Sequence, residues 1–89
     1  MQNPISVKID LGFSGGAAYV CYKNLEEGSR VWRTERLSEE IAIDYDGTGD
    51  VLGIEVLHFG DEALDVARRF ATSRGLGWCR DLAGAAQCQ

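Results

Sequence analysis

Acidic residues in the middle of the chain have a spacing that could bind a cation. The oxygen-bearing side chains and the glycine between them are Asp44, Asp46, Thr48, Gly49, Asp50 and Glu55. Their order matches the ligand positions and the invariant glycine of an EF-hand calcium loop. That loop needs a helix on each side, whereas residues 41–43 and 54–56 are rich in β-branched residues. We therefore expect solvated turn acids and no metal site, with weak cation or ligand binding by Asp44, Asp46, Asp50 and Glu55 kept as the alternative.

A serine between glycines is the segment closest to a nucleophile motif. Gly12, Ser14 and Gly16 match G-x-S-x-G, in which the serine occupies a strained turn between a strand and a helix and needs a histidine and an acid. Here a strand pattern follows Ser14, and the single histidine, His58, stands at the end of another strand pattern. We expect a glycine turn, a junction histidine and no catalytic residue.

The cysteines do not indicate a disulfide framework or a zinc site. Cys21, Cys79 and Cys88 are odd in number and widely spaced. Cys21 falls in a strand pattern and is expected to pack as a small hydrophobic residue. We expect reduced thiols and no cofactor.

A tryptophan alternates with arginines over residues 30–36, which suits either nucleic acid or a protein partner. The chain has 9 basic and 14 acidic residues, a net charge of −5, so it should not be attracted to phosphate backbones. Tryptophan and arginine are also enriched in protein interfaces. We expect no nucleic-acid partner and predict an interface that contains Trp32, Tyr22 and Tyr19.

The composition indicates one small globular domain. The 89 residues are 45% hydrophobic and 26% charged, which is enough for a single core. The longest apolar runs are about five residues, far below the ~20 that span a bilayer. The first residues lack the features of a signal peptide. We expect a cytoplasmic protein without a membrane partner.

The elements that must position these residues are mostly strands. Alternating or β-branched runs predict strands over residues 5–10, 30–37, 41–46 and 51–57, with a glycine-bearing hairpin turn over 47–50. Residues 17–23 predict a further, central strand, because both of their alternating sets are largely apolar. A consistent hairpin register buries Ile41, Ile43, Tyr45, Leu52, Ile54 and Val56 together. Asp44, Asp46 and Glu55 then face away from that layer.

One amphipathic helix follows the strands. Its predicted apolar stripe is formed by Ala63, Val66, Ala67 and Phe70, its N-cap is Asp61, and Gly75 ends it. Asp65 and Arg69 form an i, i+4 pair. The predicted fold class is α+β, a small antiparallel sheet of four to five strands in meander or hairpin order with one C-terminal helix. Residues 1–75 form the domain, and residues 76–89 are a loosely attached tail. Its apolar residues Leu76, Trp78 and Leu82 are available to pack back onto the domain.

Residues 41–57, read as I-A-I-D-Y-D-G-T-G-D-V-L-G-I-E-V-L, resemble the hairpin motif of the bacterial domain-of-unknown-function family 2283. The upstream hallmark of that family is only partly kept, because Ala17, Tyr19 and Val20 match while Gly12 and Gly16 replace acids. The resemblance covers about residues 5–60. It implies a small antiparallel sheet that commonly self-associates and has no assigned activity.

Two functions remain open from the sequence. The first is a non-enzymatic, self-associating interaction module, a homodimer or higher oligomer with a regulatory role as one option, because one helix cannot cover both faces of the sheet. The second is a ligand or cation site, or an enzyme, with the acidic hairpin or with Tyr19, Tyr45, Asp44 and Glu55 as its polar groups.

Overall fold

The computed structural model describes residues 3–10, 16–23, 30–58 and 60–78. Among them are strands β1 (Ser6–Asp10), β2 (Ala17–Cys21), β3 (Arg33–Arg36), β4 (Ile41–Tyr45) and β5 (Val51–Leu57), followed by helix α1 (Asp61–Ser73). The strands form one antiparallel sheet in the order β1-β2-β5-β4-β3. The predicted α+β class, with an antiparallel sheet and one C-terminal helix, is confirmed.

The sheet has β5 at its centre and β1 and β3 at its edges. Strands β3, β4 and β5 form a meander, while β1 and β2 form a separate hairpin that adds to β5 through β2. The chain therefore crosses from an interior strand, β2, to the far edge before it enters β3.

The core lies between one side of the sheet and α1. The buried side chains of this cluster are Ala18, Val20, Tyr22, Ile41, Ile43, Tyr45, Val51, Ile54, Val56, Ala63, Ala67, Ala71 and Leu76. We call this side of the sheet the helix side. The opposite side, which carries Tyr19, Asp44, Gly53 and Glu55, is the open side, because no described helix or strand covers it.

The β4–β5 hairpin confirms the predicted strands and corrects one position of the register. Ile41 lies opposite Val56 and Ile43 opposite Ile54, but a bulge near Asp44 and Tyr45 places Val51, not Leu52, opposite Tyr45. All six residues of the predicted layer are buried, yet Val51 joins the helix-side cluster and Leu52 does not. The turn closes where the Gly49 N–H donates to the Asp46 carbonyl, and Gly49 has a φ of 90°.

Helix α1 differs from its predicted stripe. Ala63, Ala67 and Ala71 form the buried face, whereas Val66 is 41% exposed. Val66 lies about 100° around the helix from Ala67, outside the narrow row where the backbone approaches the sheet. The N-cap is Gly60, not Asp61, and no side chain caps it.

The C-terminal end of α1 is a Schellman motif, as the predicted role of Gly75 required. Gly75 has a φ of 72°, the Gly75 N–H donates to the Thr72 carbonyl, and the Leu76 N–H donates to the Ala71 carbonyl. Earlier in α1 the predicted pair of Asp65 and Arg69 is present at 2.8 Å, and Arg68 contacts the same carboxylate at 2.6 Å.

The start of the predicted tail packs against the domain. Leu76 is buried, Trp78 contacts the core cluster, and the Tyr22 hydroxyl donates to the Gly77 carbonyl at 2.7 Å. Leu82 and the rest of the tail lie outside the described residues. None of the helices in the described ranges has the length and apolar composition needed to cross a membrane.

Candidate functional site

Three of the five large exposed apolar residues in the described part of the chain lie immediately beside β3. All four residues of β3 are exposed. Trp32 immediately precedes the strand and is 70% exposed, and Val31 and Leu37 at the two ends are 46% and 40% exposed. We call residues 31–37 the edge segment.

On the helix side, Tyr45 of β4 contacts two side chains of the edge segment. Its buried ring lies under the Arg33 guanidinium, 4.4 Å from the ring centroid, and its hydroxyl donates to Glu35 Oε1 at 2.9 Å. Burial, together with the hydrogen bond to Glu35, raises the pKa of Tyr45. The phenol therefore remains a hydrogen-bond donor at neutral pH, and two charged side chains of β3 are fixed in exposed positions.

On the open side, Asp44 holds the edge segment. Its Oδ1 accepts a hydrogen bond from Thr34 Oγ1 at 2.6 Å, and its Oδ2 accepts one from the Tyr19 hydroxyl at 2.9 Å. Asp44 thus links β2 to β3 across the intervening strands. Burial, and then the Asp44 carboxylate, raise the pKa of Tyr19, so this phenol is a donor and not a base at neutral pH.

The position of the Tyr19 side chain, which reaches across to Asp44, explains why residue 53 is a glycine. The Tyr19 ring lies directly over Gly53, where a Cβ atom would overlap the phenol. Gly53 pairs with Asp44 on one side and with Cys21 on the other, so the ring crosses the centre of the sheet. A glycine in this central strand is selected by the close approach of that side chain.

The hairpin turn forms a second polar cluster around Asp46, which is 7% exposed and therefore not the solvated turn acid expected from the sequence. Asp46 Oδ1 accepts hydrogen bonds from the Thr48 N–H, the Thr48 hydroxyl and the Asp50 N–H. Its Oδ2 pairs with Lys23 Nζ at 2.6 Å, and Asp50 pairs with the same ammonium at 2.9 Å. Lys23 and Thr48 lower the pKa of Asp46, and both acids raise the pKa of Lys23.

The four acids proposed as the alternative site are divided between two places. Asp46 and Asp50 surround the Lys23 ammonium in the turn, whereas Asp44 and Glu55 lie on the open side of the sheet. Within the described ranges, no group of three or more His, Cys, Asp or Glu side chains is arranged to hold a metal ion. Sequence spacing could not reveal Lys23, which reaches the turn from the end of a distant strand.

A shallow pocket of about 210 Å³ lies on the open side near β1. Its lining residues are Lys8, Ile9, Asp10, Ala17, Ala18, Tyr19 and Glu55. Tyr19 and Glu55 are opposite one another in the β2–β5 pairing, so these two predicted polar candidates meet here. Asp44 is outside the lining, and Tyr45 points to the helix side. The volume is below the ~300 Å³ at which small-molecule sites begin.

The three predicted interface residues have different environments. Trp32 is exposed on the edge segment, and Tyr19 is half-buried on the open side. Tyr22 is 2% exposed in the core, so it offers no surface to a partner in this fold. The apolar character of both alternating sets in β2 gave no signal of which side the helix would cover.

The other candidate residues occupy structural positions or lie outside the described residues. Ser14 is not among the described residues. His58 follows β5, is exposed and has a φ of 53°. Cys21 is buried as predicted, and its Sγ donates to the Lys23 carbonyl at 2.9 Å.

A comparison with known families confirms the predicted resemblance over part of the chain. The family described as a protein of unknown function (DUF2283) matches residues 19–59, from β2 to just beyond β5. No curated protein and no solved structure matches the chain. The matched range contains the edge segment, Asp44, Tyr45 and the hairpin turn.

Proposed function

We propose that the protein is a non-enzymatic interaction module that self-associates through the edge segment. The observation that carries this proposal is the exposure of Trp32, Val31 and Leu37 within seven consecutive residues, at a sheet edge with which no other described strand pairs. A sheet edge presents free backbone donors and acceptors, and an apolar edge is a template for another strand. Among the described residues, the other large exposed apolar side chains are Ile5, just before β1, and Val66 on α1, and each stands singly.

The state of the polar groups favours binding over catalysis. Asp44 accepts hydrogen bonds from Tyr19 and Thr34, and Asp46 is saturated by Lys23 and the turn. These carboxylates therefore act as structural acceptors. The raised pKa of Tyr19 also works against a role as a general base near neutral pH. Cation or ligand binding by the four acids receives less support, because the fold separates them into two clusters.

Sedimentation velocity of the full chain over a range of concentrations tests the proposal. We expect the wild type to form a dimer or a larger species. Trp32→Ala should weaken association about tenfold or more, because central tryptophans dominate interface energies. Val66→Ala removes apolar surface from α1, at a residue that is 41% exposed, and serves as the matched control with unchanged association. A wild type that remains monomeric, or a Trp32 variant that sediments like the wild type, would refute the interface.

A second sample with millimolar Ca²⁺ separates this proposal from the cation alternative. Association through the edge segment requires no cation, so the sedimentation coefficient should be the same in both samples. Assembly that occurs only with calcium would favour the acidic hairpin as the working site.

A further inference from the structure

The edge segment has an order of side chains that complements itself in reverse. Its sequence is V-W-R-T-E-R-L, with Thr34 at the centre. Residues at equal distances on the two sides of Thr34 are complementary in type. They are a base and an acid (Arg33 and Glu35), an aromatic residue and a base (Trp32 and Arg36), and two aliphatic residues (Val31 and Leu37).

From this order we propose that two copies of the chain pair their β3 strands antiparallel about a two-fold axis at Thr34. This inference rests on the proposed self-association and specifies its geometry. The two five-stranded sheets would then form one continuous sheet. The paired residues, each with its partner on the second copy, are Thr34 with Thr34, Arg33 with Glu35, Trp32 with Arg36, and Val31 with Leu37.

The backbone of β3 presents its free groups at the positions this register uses. The Leu37 N–H donates to the Ile41 carbonyl at 2.9 Å, which makes Leu37 and Ile41 a hydrogen-bonded pair. Hydrogen-bonded pairs alternate along an antiparallel ladder, so Glu35 also directs its backbone toward β4. Thr34 and Arg36 therefore direct their N–H and C=O groups to the open edge, whereas the Trp32 N–H donates to the Tyr45 carbonyl at 2.7 Å and does not take part in the outer ladder. A two-fold axis at Thr34 places two such groups opposite each other.

Arg33 and Glu35, the charged pair of this register, are exposed on the same side of the sheet. Arg33 and Glu35 both lie on the helix side, and a two-fold axis perpendicular to the sheet preserves that side in both copies. Neither forms an ion pair with another described residue, and Glu35 accepts a hydrogen bond only from Tyr45 among them. Because Tyr45 fixes both side chains, less entropy is lost when they bind a partner.

Neighbouring registers are disfavoured by charge. Moving the axis to Arg33 places that arginine opposite its own copy, and moving it to Glu35 places two carboxylates together. Like charges directly opposite are destabilising in an antiparallel pair. The other edge, β1, has Lys8 at its middle and Pro4 just before it, two residue types that protect edges from pairing.

Charge reversal tests the pairing. Arg33→Glu creates two acid–acid contacts per dimer, and Glu35→Arg creates two base–base contacts, so each variant alone should associate roughly tenfold or more weakly. A mixture of the two variants restores an acid opposite a base at both contacts and should form a heterodimer with near wild-type affinity. Both variants lose intrachain contacts to Tyr45 whether alone or mixed, so a gain on mixing reports the intermolecular pair. Circular dichroism of each variant checks that it is folded.

Cysteine cross-linking tests the register independently, in a chain that carries Cys79→Ser and Cys88→Ser. Thr34→Cys places two thiols at the axis with a Cα separation of about 5.5 Å, which suits a disulfide. Arg36→Cys is the matched control, because the two copies of that position are about 13 Å apart along the strands. We expect a covalent dimer from the first variant only.

The outcomes distinguish this proposal from the broader one. If Trp32→Ala weakens association but mixing yields no heterodimer and Thr34→Cys does not cross-link, self-association stands and the Thr34 axis is overturned. If the wild type is monomeric at all concentrations, both proposals are refuted.

Discussion

Substituting Gly53 by alanine should destabilise the protein although alanine is generally the better residue within a strand. Gly53 does not have a positive φ, so its backbone conformation suits any residue. The obstacle is the Tyr19 ring, which occupies the space of the new Cβ atom. The ring must rotate away and give up its 2.9 Å hydrogen bond to Asp44.

The size of the effect follows from these two losses. Overpacking costs about 1–3 kcal/mol, and the lost hydrogen bond costs about 0.5–1.5 kcal/mol. The two losses together are about 1.5–4.5 kcal/mol, and because a tyrosine side chain can move we expect a cost in the lower half of this range, about 1.5–3 kcal/mol. In a Tyr19→Ala background the obstacle is absent, and the same substitution should stabilise by about 0.5–1 kcal/mol, since glycine is costly in a strand. The sign of the substitution therefore depends on Tyr19.

Urea unfolding followed by circular dichroism measures the four free energies of this double-mutant cycle. The protein concentration is held constant, because self-association would otherwise shift the apparent stability. Gly47→Ala is the matched control, since nothing lies within 4 Å of its Cβ position, and it should be close to neutral. An equal cost of the Gly53 substitution in both backgrounds would contradict the role assigned to the Tyr19 ring.

Two further predictions concern pH. Asp46→Asn should lower the free energy of unfolding at pH 7, because Lys23 holds the pKa of Asp46 below its usual 3.8. A carboxylate with a lowered pKa stabilises the folded state above about pH 4 and loses this effect in more acidic solution. The urea midpoints of the variant and the wild type should therefore converge at acidic pH, and a difference that stays constant with pH would contradict the prediction. The three tyrosines all have a pKa raised by burial above 10.0. The contribution of these raised pKa values to the stability of the fold is complete below about pH 10 and declines above it. Tyrosinate absorbance should therefore appear only as the protein unfolds. Gradual titration of the folded protein would refute this prediction.

The local elements were predictable because each has a repeating pattern of its own. Alternation located four of the five strands, an apolar run located β2, and the shift to helical spacing located α1 and its end at Gly75. Asp44 and Glu55 were correctly placed away from the helix-side core, whereas Asp46 is buried in the turn against Lys23. The pattern of residues 30–37 predicted a strand that contains Trp32, whereas β3 begins at Arg33 and Trp32 immediately precedes it.

The strand order and the polar contacts between strands were not predictable in this way. The pairing partner of β2 is determined by non-local contacts. No feature of residues 17–23 indicates that this partner is β5. The role of Lys23 as the counterion of Asp46 follows only from that pairing. Val66 was placed on the buried stripe because its type suits a core, whereas the close approach of α1 to β5 favours the smaller Ala67.

The edge segment is anchored by two residues of β4, one on each side of the sheet. Asp44 and Tyr45 are consecutive, so their side chains leave the strand on opposite sides, one to Thr34 and the other to Arg33 and Glu35. Strand β3 buries none of its own side chains, so its position depends on these contacts and on the ladder with β4. A four-residue strand held in this way presents fixed charges to solvent, and fixed charges lose little entropy when a complementary strand binds. The exposed Trp32 adds apolar area at the same edge, so the specificity of pairing would come from the charges and most of its affinity from the tryptophan.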